Sequence, residues 1–346
     1  MNKPCPYGTH RVIAPIGALP QSADIIDNTM VCQSNEILIS VKTLNIDSAS
    51  FTQIKSACEG NESKMIEMIE SIVSKRGKMQ NPVTGSGGML LGVVKEIGTD
   101  LNIDLNVGDS IATLVSLSLT PLKIYKIKQL YLDKDQIDID GEAILFQTGI
   151  YAKIPSDLPA DLVLSALDVA GAPAQVAKLV KPGNRVLIIG AGGKSGVLCS
   201  YQARKSAGKD GYVYGLIYDQ REYADLYNLG VCDEIIIADA RIPMDVYKKV
   251  MAASHNEKMD VTINVVNVPS TEMASILPTK DFGIVYFFGM ATSFSKAALG
   301  AEGIKSEATM MIGNGFTSGH DELTLNLLRE SKLLYDLFNK RYGAGE

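Results

Sequence analysis

Val186-Leu187-Ile188-Ile189-Gly190-Ala191-Gly192-Gly193-Lys194-Ser195-Gly196 runs from an unbroken apolar stretch directly into a glycine-rich turn. An apolar run bounded by such a turn reads as a buried strand, and the residues after the turn read as the start of a helix. A strand, turn and helix in this order aim free N–H groups and the positive end of the helix dipole at one point, where a diphosphate binds. Gly190 permits the tight turn, Gly193 lets a diphosphate approach the backbone, and Gly196 lets the helix pack on the strand. Gly192, Lys194 and Ser195 complete the candidate loop. The spacing is G-x-x-G-x-x-G rather than the commoner G-x-G-x-x-G. A mononucleotide P-loop is excluded, because its first glycine would fall at Ile188, inside the strand.

The flanking sequence strengthens this reading. A second strand is predicted over 212–218 and leads to Asp219, which lies 23 residues (219 − 196) beyond Gly196. That is close to the ~20 expected for an acid that binds the ribose hydroxyls. Arg221, just beyond, is a candidate for a 2′-phosphate instead, so NAD is expected and NADP stays open. Further strands are predicted over 234–237, 260–266 and 283–288, with helices over 221–229 and 244–254 between them. Apolar strands alternating with helices form a parallel sheet covered on both faces, a doubly wound Rossmann domain. Open sheets of this kind bind ligands at the carboxyl ends of their strands. Asn267, Gly289 and Met290 are therefore either cofactor contacts or ordinary loop residues. The remaining alternative for the glycine loop is a structural turn that binds nothing.

Outward from this core, residues 1–150 read as short strands punctuated by glycine turns, with one clear helix over 63–75. The strand over 36–42 alternates in the manner of a half-buried sheet, and another is predicted over 111–119. This pattern suggests a compact barrel-like domain. A long amphipathic helix is predicted over 321–340.

At 346 residues two domains are expected. A net charge of −6 without a cluster of Lys and Arg argues against nucleic acid as a partner. The N-terminus lacks the apolar core of a signal peptide, and no apolar stretch approaches the ~20 residues of a membrane span. A cytoplasmic protein with no membrane partner is expected. The five cysteines are scattered, and the three histidines form no two-histidine motif. A disulfide framework and a transition-metal site are both disfavoured.

Taken in order, Gly92-Val93-Val94-Lys95-Glu96-Ile97-Gly98, Val107-Gly108-Asp109, the segment 166–180, Lys181-Pro182-Gly183 and the glycine loop resemble the medium-chain dehydrogenase/reductase superfamily over nearly the whole chain. The resemblance implies an α/β protein with a GroES-like β-barrel catalytic domain (residues 1–160) and a Rossmann domain (161–312). It also implies a C-terminal segment (313–346) that returns to the catalytic domain, and a homodimer paired through an edge strand near 283–288, although Tyr286-Phe287-Phe288 is equally apolar for a buried strand. Zinc-dependent members carry Gly-His-Glu where this chain has Gly87-Gly88-Met89, and a ligand cysteine where it has Asn45-Ile46-Asp47-Ser48. No zinc is expected. Residues 6–13, 43–55, 80–88 and 115–123 further resemble a zinc-free branch that oxidatively deaminates a small diamino acid in anaerobic lysine fermentation. A zinc-independent quinone or enone reductase and a non-catalytic NAD(P)H-binding protein are the alternative readings.

Removing hydride from an amine-bearing carbon requires the ammonium to lose its proton first, so a general base is needed. Asp168 is the first candidate for that base or for binding an ammonium. It is the single charge in the apolar run 162–176, where desolvation favours a raised pKa; its alternative is a helix cap. Asp47 is the second candidate, either catalytic or an N-cap before Ser48. His10 is a candidate proton shuttle and Arg11 a candidate clamp for the substrate carboxylate. For both, the alternative is that the segment pins the chain terminus to the body.

Overall fold

The computed structural model describes residues 4–313 and 315–343 and divides into two compact units, Met1–Asp168 and Val169–Glu346. In the first unit, a short antiparallel pair, β1 (Val12–Ala14) and β2 (Ile25–Ile26), accompanies a six-stranded antiparallel sheet. The chain enters that sheet through β3 (Glu36–Asn45), then forms two helices, α1 (Ser48–Ala57) and α2 (Glu62–Arg76). The next strands are β4 (Met89–Ile97), β5 (Ser110–Thr113), β6 (Leu122–Tyr131), β7 (Gln136–Phe146) and β8 (Tyr151–Lys153), and α3 (Ala160–Leu167) closes the unit. The strand order is β6-β7-β3-β4-β5-β8. Asn61 caps the start of α2 by accepting the Lys64 N–H, and left-handed Gly77 ends it, so polar capping sets both boundaries. The core joins the buried face of the sheet (Ile39, Val41, Leu90, Val94, Ile137, Ile139) to Phe51, Ile54, Met65 and Ile69 of the two helices.

The second unit opens with α4 (Gly171–Leu179), after which β9 (Arg185–Ile189) leads into α5 (Lys194–Ala207). Next come β10 (Tyr212–Ile217), α6 (Arg221–Leu229), β11 (Glu234–Ile237), α7 (Pro243–Ala253) and β12 (Met259–Asn264). The chain continues through α8 (Glu272–Ile276), β13 (Thr279–Phe287), α9 (Phe294–Gly303), β14 (Thr309–Ile312), α10 (His320–Glu330) and α11 (Lys332–Tyr342). The strands pair in parallel in the order β11-β10-β9-β12-β13-β14. This is the doubly wound order, with its switch point between β9 and β12, where such sheets bind ligands.

Within the second unit α10 packs on α4 and α5, and α11 packs on α6. Two expectations are corrected here. The amphipathic helix is two helices, because Ser331 turns extended and its hydroxyl accepts the Leu334 N–H to start α11. The strand over 283–288 is not an edge: β14 lies outside it, and Tyr286 and Phe287 are apolar because they are buried. No single helix among the described residues is long and apolar enough to cross a membrane.

Candidate active site

Gly190 and Gly196 of the loop between β9 and α5 each have a backbone reason. Gly190 sits at φ +89°, and its N–H and that of Ala191 both donate to Leu216 O, at 2.9 and 3.0 Å. A Cβ on Gly196 would lie 2.0 Å from Gly190 O, so only glycine lets α5 start this close to the strand. Gly193, the N-cap of α5, is exposed, and a Cβ there would meet nothing nearer than Gly190 O at 3.6 Å. The space above it is open, with the first turn of α5 beneath, which fits a diphosphate. Lys194 and Ser195, half-buried, occupy that first turn. Gly192 is buried against Glu222, whose carboxyl carbon lies 2.5 Å from where a Cβ would stand. Burial holds the Glu222 carboxyl above its ordinary pKa.

The ends of the neighbouring strands converge on this loop. Val266 lies just past β12; its Cγ1 faces Gly190 and its carbonyl faces Gly289, at 2.6 and 2.2 Å from the positions their Cβ atoms would take. Asn264 stabilises that turn. Its amide donates to the Thr271 and Ser275 hydroxyls, and its oxygen accepts the Val266 N–H. Asn267 and Met290 lie beyond the strand ends, Met290 exposed and Asn267 beside the exposed Val268. Asp219 lies two residues past β10 and pairs with Arg221, whose Nε donates at 2.8 Å. That hydrogen bond and the Arg221 N–H hold the Asp219 carboxyl down to about 2.

In the first unit, Asp47 caps α1, with Oδ1 accepting the Ser50 N–H at 3.0 Å, while its Oδ2 is buried without a hydrogen-bond partner. Two residues earlier, buried Asn45 accepts from Gln136 Nε2 at 3.2 Å, and its own Nδ2 has no partner. Sequence reasoning did not single out Asn45 or Gln136. Gln136 begins β7 and also reaches Ser165 Oγ at 3.4 Å, on α3. That helix ends at half-buried Asp168. Gly88, at φ +106°, lies directly against this segment: a Cβ would stand 2.0 Å from Asn45 O and 2.7 Å from Asp47 N. Position 88 is thus held to glycine by its backbone. Among the described residues no three His, Cys, Asp or Glu are grouped to hold a metal ion.

The structure does not bring His10 and Arg11 to this segment. Arg11 is buried and grips buried Glu36 through Nε and Nη2, both at 2.6 Å. Its Nη1 donates to Thr29 O and Asp27 O, and Nη2 also to Val31 O. All five guanidinium N–H groups are engaged, so none is left for a substrate carboxylate. His10 Nε2 lies 2.8 Å from Glu36 Oε1, and its Nδ1 accepts the Cys5 N–H. Burial by itself would raise the Glu36 pKa; hydrogen bonds from Arg11, the Gln33 N–H and His10 outweigh it and hold the carboxyl below its ordinary value.

Comparison with known proteins bears on the identity of both units. The chain is 56% identical over 342 residues to L-erythro-3,5-diaminohexanoate dehydrogenase of Acetoanaerobium sticklandii, covering 98% of this chain and 99% of that protein. It is 57% identical over 344 residues to the Fusobacterium nucleatum enzyme of the same name, covering 99% and 100%. The chain belongs to the L-erythro-3,5-diaminohexanoate dehydrogenase family. The model of that family's N-terminal domain matches residues 10–155, within the first unit. The diaminohexanoate dehydrogenase fold is also that of distant solved proteins. CurK enoyl reductase aligns with TM-score 0.57 at 15% identity, covering 93% of this chain and 85% of that one. A Pseudomonas syringae quinone oxidoreductase aligns with TM-score 0.54 at 17%, covering 92% and 84%. A Thermotoga maritima alcohol dehydrogenase aligns with TM-score 0.56 at 14%, covering 91% and 86%. The architecture is a GroES-like domain followed by a Rossmann domain.

Proposed function

We propose that the protein oxidatively deaminates L-erythro-3,5-diaminohexanoate to 5-amino-3-oxohexanoate and ammonium as a step of lysine fermentation. The observation that carries this reading is the identity of more than half the residues with two enzymes of that name along essentially the whole of each chain. A bound nicotinamide dinucleotide supplies the hydride acceptor, and the open backbone at Gly193 supports the glycine loop as the seat of its diphosphate. Gly190, Gly192, Lys194, Ser195 and Gly196 shape that seat. Asp219 takes the ribose hydroxyls, which favours NAD over NADP, and Asn267, Gly289 and Met290 flank the cofactor at the neighbouring strand ends.

The chemistry on the protein's side is proton handling. The 3-ammonium gives up a proton, the carbon bearing the resulting amine gives up a hydride to form an iminium, and water adds to the iminium to leave the ketone and ammonium. Asp47 is the proposed proton acceptor, supported by an oxygen that is buried yet unpartnered. Asp168 binds the second ammonium. The Asn45 Nδ2, equally unpartnered, donates to the substrate carboxylate. The reaction needs no zinc, in keeping with Gly88 standing where a ligand histidine would be. We place the enzyme in the cytoplasm as a homodimer joined along β14, whose Met310 and Ile312 are exposed on the sheet edge.

The test is direct. Purified protein mixed with NAD and the diamino acid should raise absorbance at the wavelength of NADH, and Gly193→Val should abolish this by raising the cofactor KM. Reduction of quinones or enones with no turnover of the diamino acid would overturn the assignment in favour of a reductase. NADH binding with no turnover of any of these would favour a binding protein.

A further inference from the structure

The C-terminal helix of the second unit meets the glycine loop near that unit's start. Arg341, in the last turn of α11, donates from Nη1 to Gly192 O at 2.7 Å and from Nη2 to Asp225 Oδ2 of α6 at 2.7 Å. The next residue, Tyr342, has its ring centroid 5.8 Å from the Lys194 ammonium, within cation–π range. Tyr342 is held in turn by the ring of buried Phe338, at 5.2 Å. Consecutive residues of one helix therefore grip the loop on a backbone carbonyl and on the first side chain of α5.

The carbonyl that Arg341 holds belongs to the Gly192–Gly193 peptide. A peptide with glycine on both sides rotates more freely than any other, and ordering it costs more entropy. On its other side the Gly193 N–H closes a turn onto Gly190 O at 3.2 Å. The peptide is thus fixed at both its oxygen and its nitrogen. This matters because a phosphate-binding loop works through the directions of its N–H groups, and a flipped peptide would present a carbonyl oxygen to an anion instead.

We propose that α11 is a built-in brace for the nucleotide loop, with Arg341 as the positioning residue that holds the Gly192–Gly193 peptide in the orientation the diphosphate requires. This rests on the reading of the loop as the cofactor site. Fixing one residue's backbone corresponds to about five- to thirty-fold in an equilibrium, so releasing this peptide should weaken nucleotide binding roughly tenfold.

The experiment uses the full-length protein, with NADH binding followed by calorimetry and steady-state kinetics run at varied NAD and varied diamino acid. Arg341→Ala should raise the NADH Kd and the NAD KM about tenfold, leaving kcat at saturating NAD and the KM for the diamino acid unchanged. Added guanidinium should restore part of the lost affinity. Asp225→Asn, which removes one anchor but keeps the bond to Gly192 O, should weaken NADH in the same direction and by less. An Arg341→Ala enzyme with native NADH affinity would overturn the proposal, as would one that lost only kcat or thermal stability. Gly193→Val in the same assay separates the two ideas. If it leaves binding intact, the loop is not the nucleotide site; if it abolishes binding while Arg341→Ala does nothing, the brace alone is wrong.

Discussion

Replacing Gly88 by alanine tests how the substrate-side segment is built. Two costs add at this position. The first is backbone conformation: at φ +106° an L-residue is strained by about 1–3 kcal/mol. The second is space: the new methyl would stand 2.0 Å from Asn45 O, 2.7 Å from Asp47 N and 2.8 Å from Ile46 Cα. All three are backbone atoms, so no side chain can swing aside, and the segment 45–47 must move; forced overpacking of this kind costs about 1–3 kcal/mol. Together the substitution should destabilise the fold by about 2–6 kcal/mol. Gly85→Ala is the internal control: it is also left-handed, at φ +74°, but has nothing within 4 Å of its Cβ, so only the conformational part applies. Urea denaturation measures both. Kinetics on folded Gly88→Ala protein should show a raised KM for the diamino acid with an unchanged KM for NAD, because the displaced segment carries Asn45 and Asp47. If Gly88→Ala costs no more than Gly85→Ala, or leaves the diamino acid KM untouched, the packing argument fails.

Three other substitutions have more local consequences. Arg11→Met should destabilise the protein by about 3–5 kcal/mol by stranding buried Glu36, and Arg11→Met with Glu36→Met should recover much of it; a stable Arg11→Met enzyme with a raised substrate KM would instead make Arg11 a clamp. Asp219→Ala should weaken NAD more than NADP, and an unchanged ratio measured by competition binding would remove its ribose role. Lys78 is wholly buried, with its amine on Pro20 O and Gln21 O, and burial pushes its pKa down to about 8 from 10.5. Below pH 8 the folded protein bears the full cost of a buried cation. As pH rises from about 8 to 10.5 the folded form loses the proton first, so stability relative to Lys78→Met should rise by about 3 kcal/mol across that window. A pH-independent difference in denaturation free energy would refute this.

The glycine loop is legible because Gly190 and Gly196 each answer a separate local demand, and those demands recur at fixed spacing. The strand expected over 111–119 is shorter: regular pairing stops at Thr113, and the chain then turns, with Leu119 N–H bonded to Ser116 O. The long β6–β7 hairpin is hard to read because its lysines, aspartates and glutamines look like a solvated stretch and β6 breaks its alternation at two register shifts. Alternation reports which face is wet, and it survives in β7, where Ile137 and Ile139 are buried while Asp140 is exposed. Tyr286-Phe287-Phe288 was equally compatible with an edge and a central strand, since apolarity does not say which neighbours supply the burial. The grip of Arg341 on Gly192 spans 149 positions and leaves no periodic trace. Asn45 and Asp47 illustrate a subtler limit. Sequence marks them as polar near a turn, but whether a polar atom lacks a partner is a property of packing alone.

That property makes Asp47 the most informative residue for the chemistry. Its two oxygens have different surroundings: Oδ1 caps α1 through the Ser50 N–H, and Oδ2 is buried with no partner. Asp47→Asn keeps the capping oxygen and the shape, so α1 should remain in place and stability should change little. What the amide cannot do is accept a proton at the second position. If Oδ2 receives the proton from the 3-ammonium, kcat should fall by about 10²–10⁴, with NADH affinity unchanged. The loss should persist at high pH only if the base also serves the addition of water; otherwise deprotonating the substrate in solution should restore part of the rate. A normal kcat in Asp47→Asn would leave Asp47 as a helix cap and move the search for the base to Asp168, whose asparagine variant is made by the same logic.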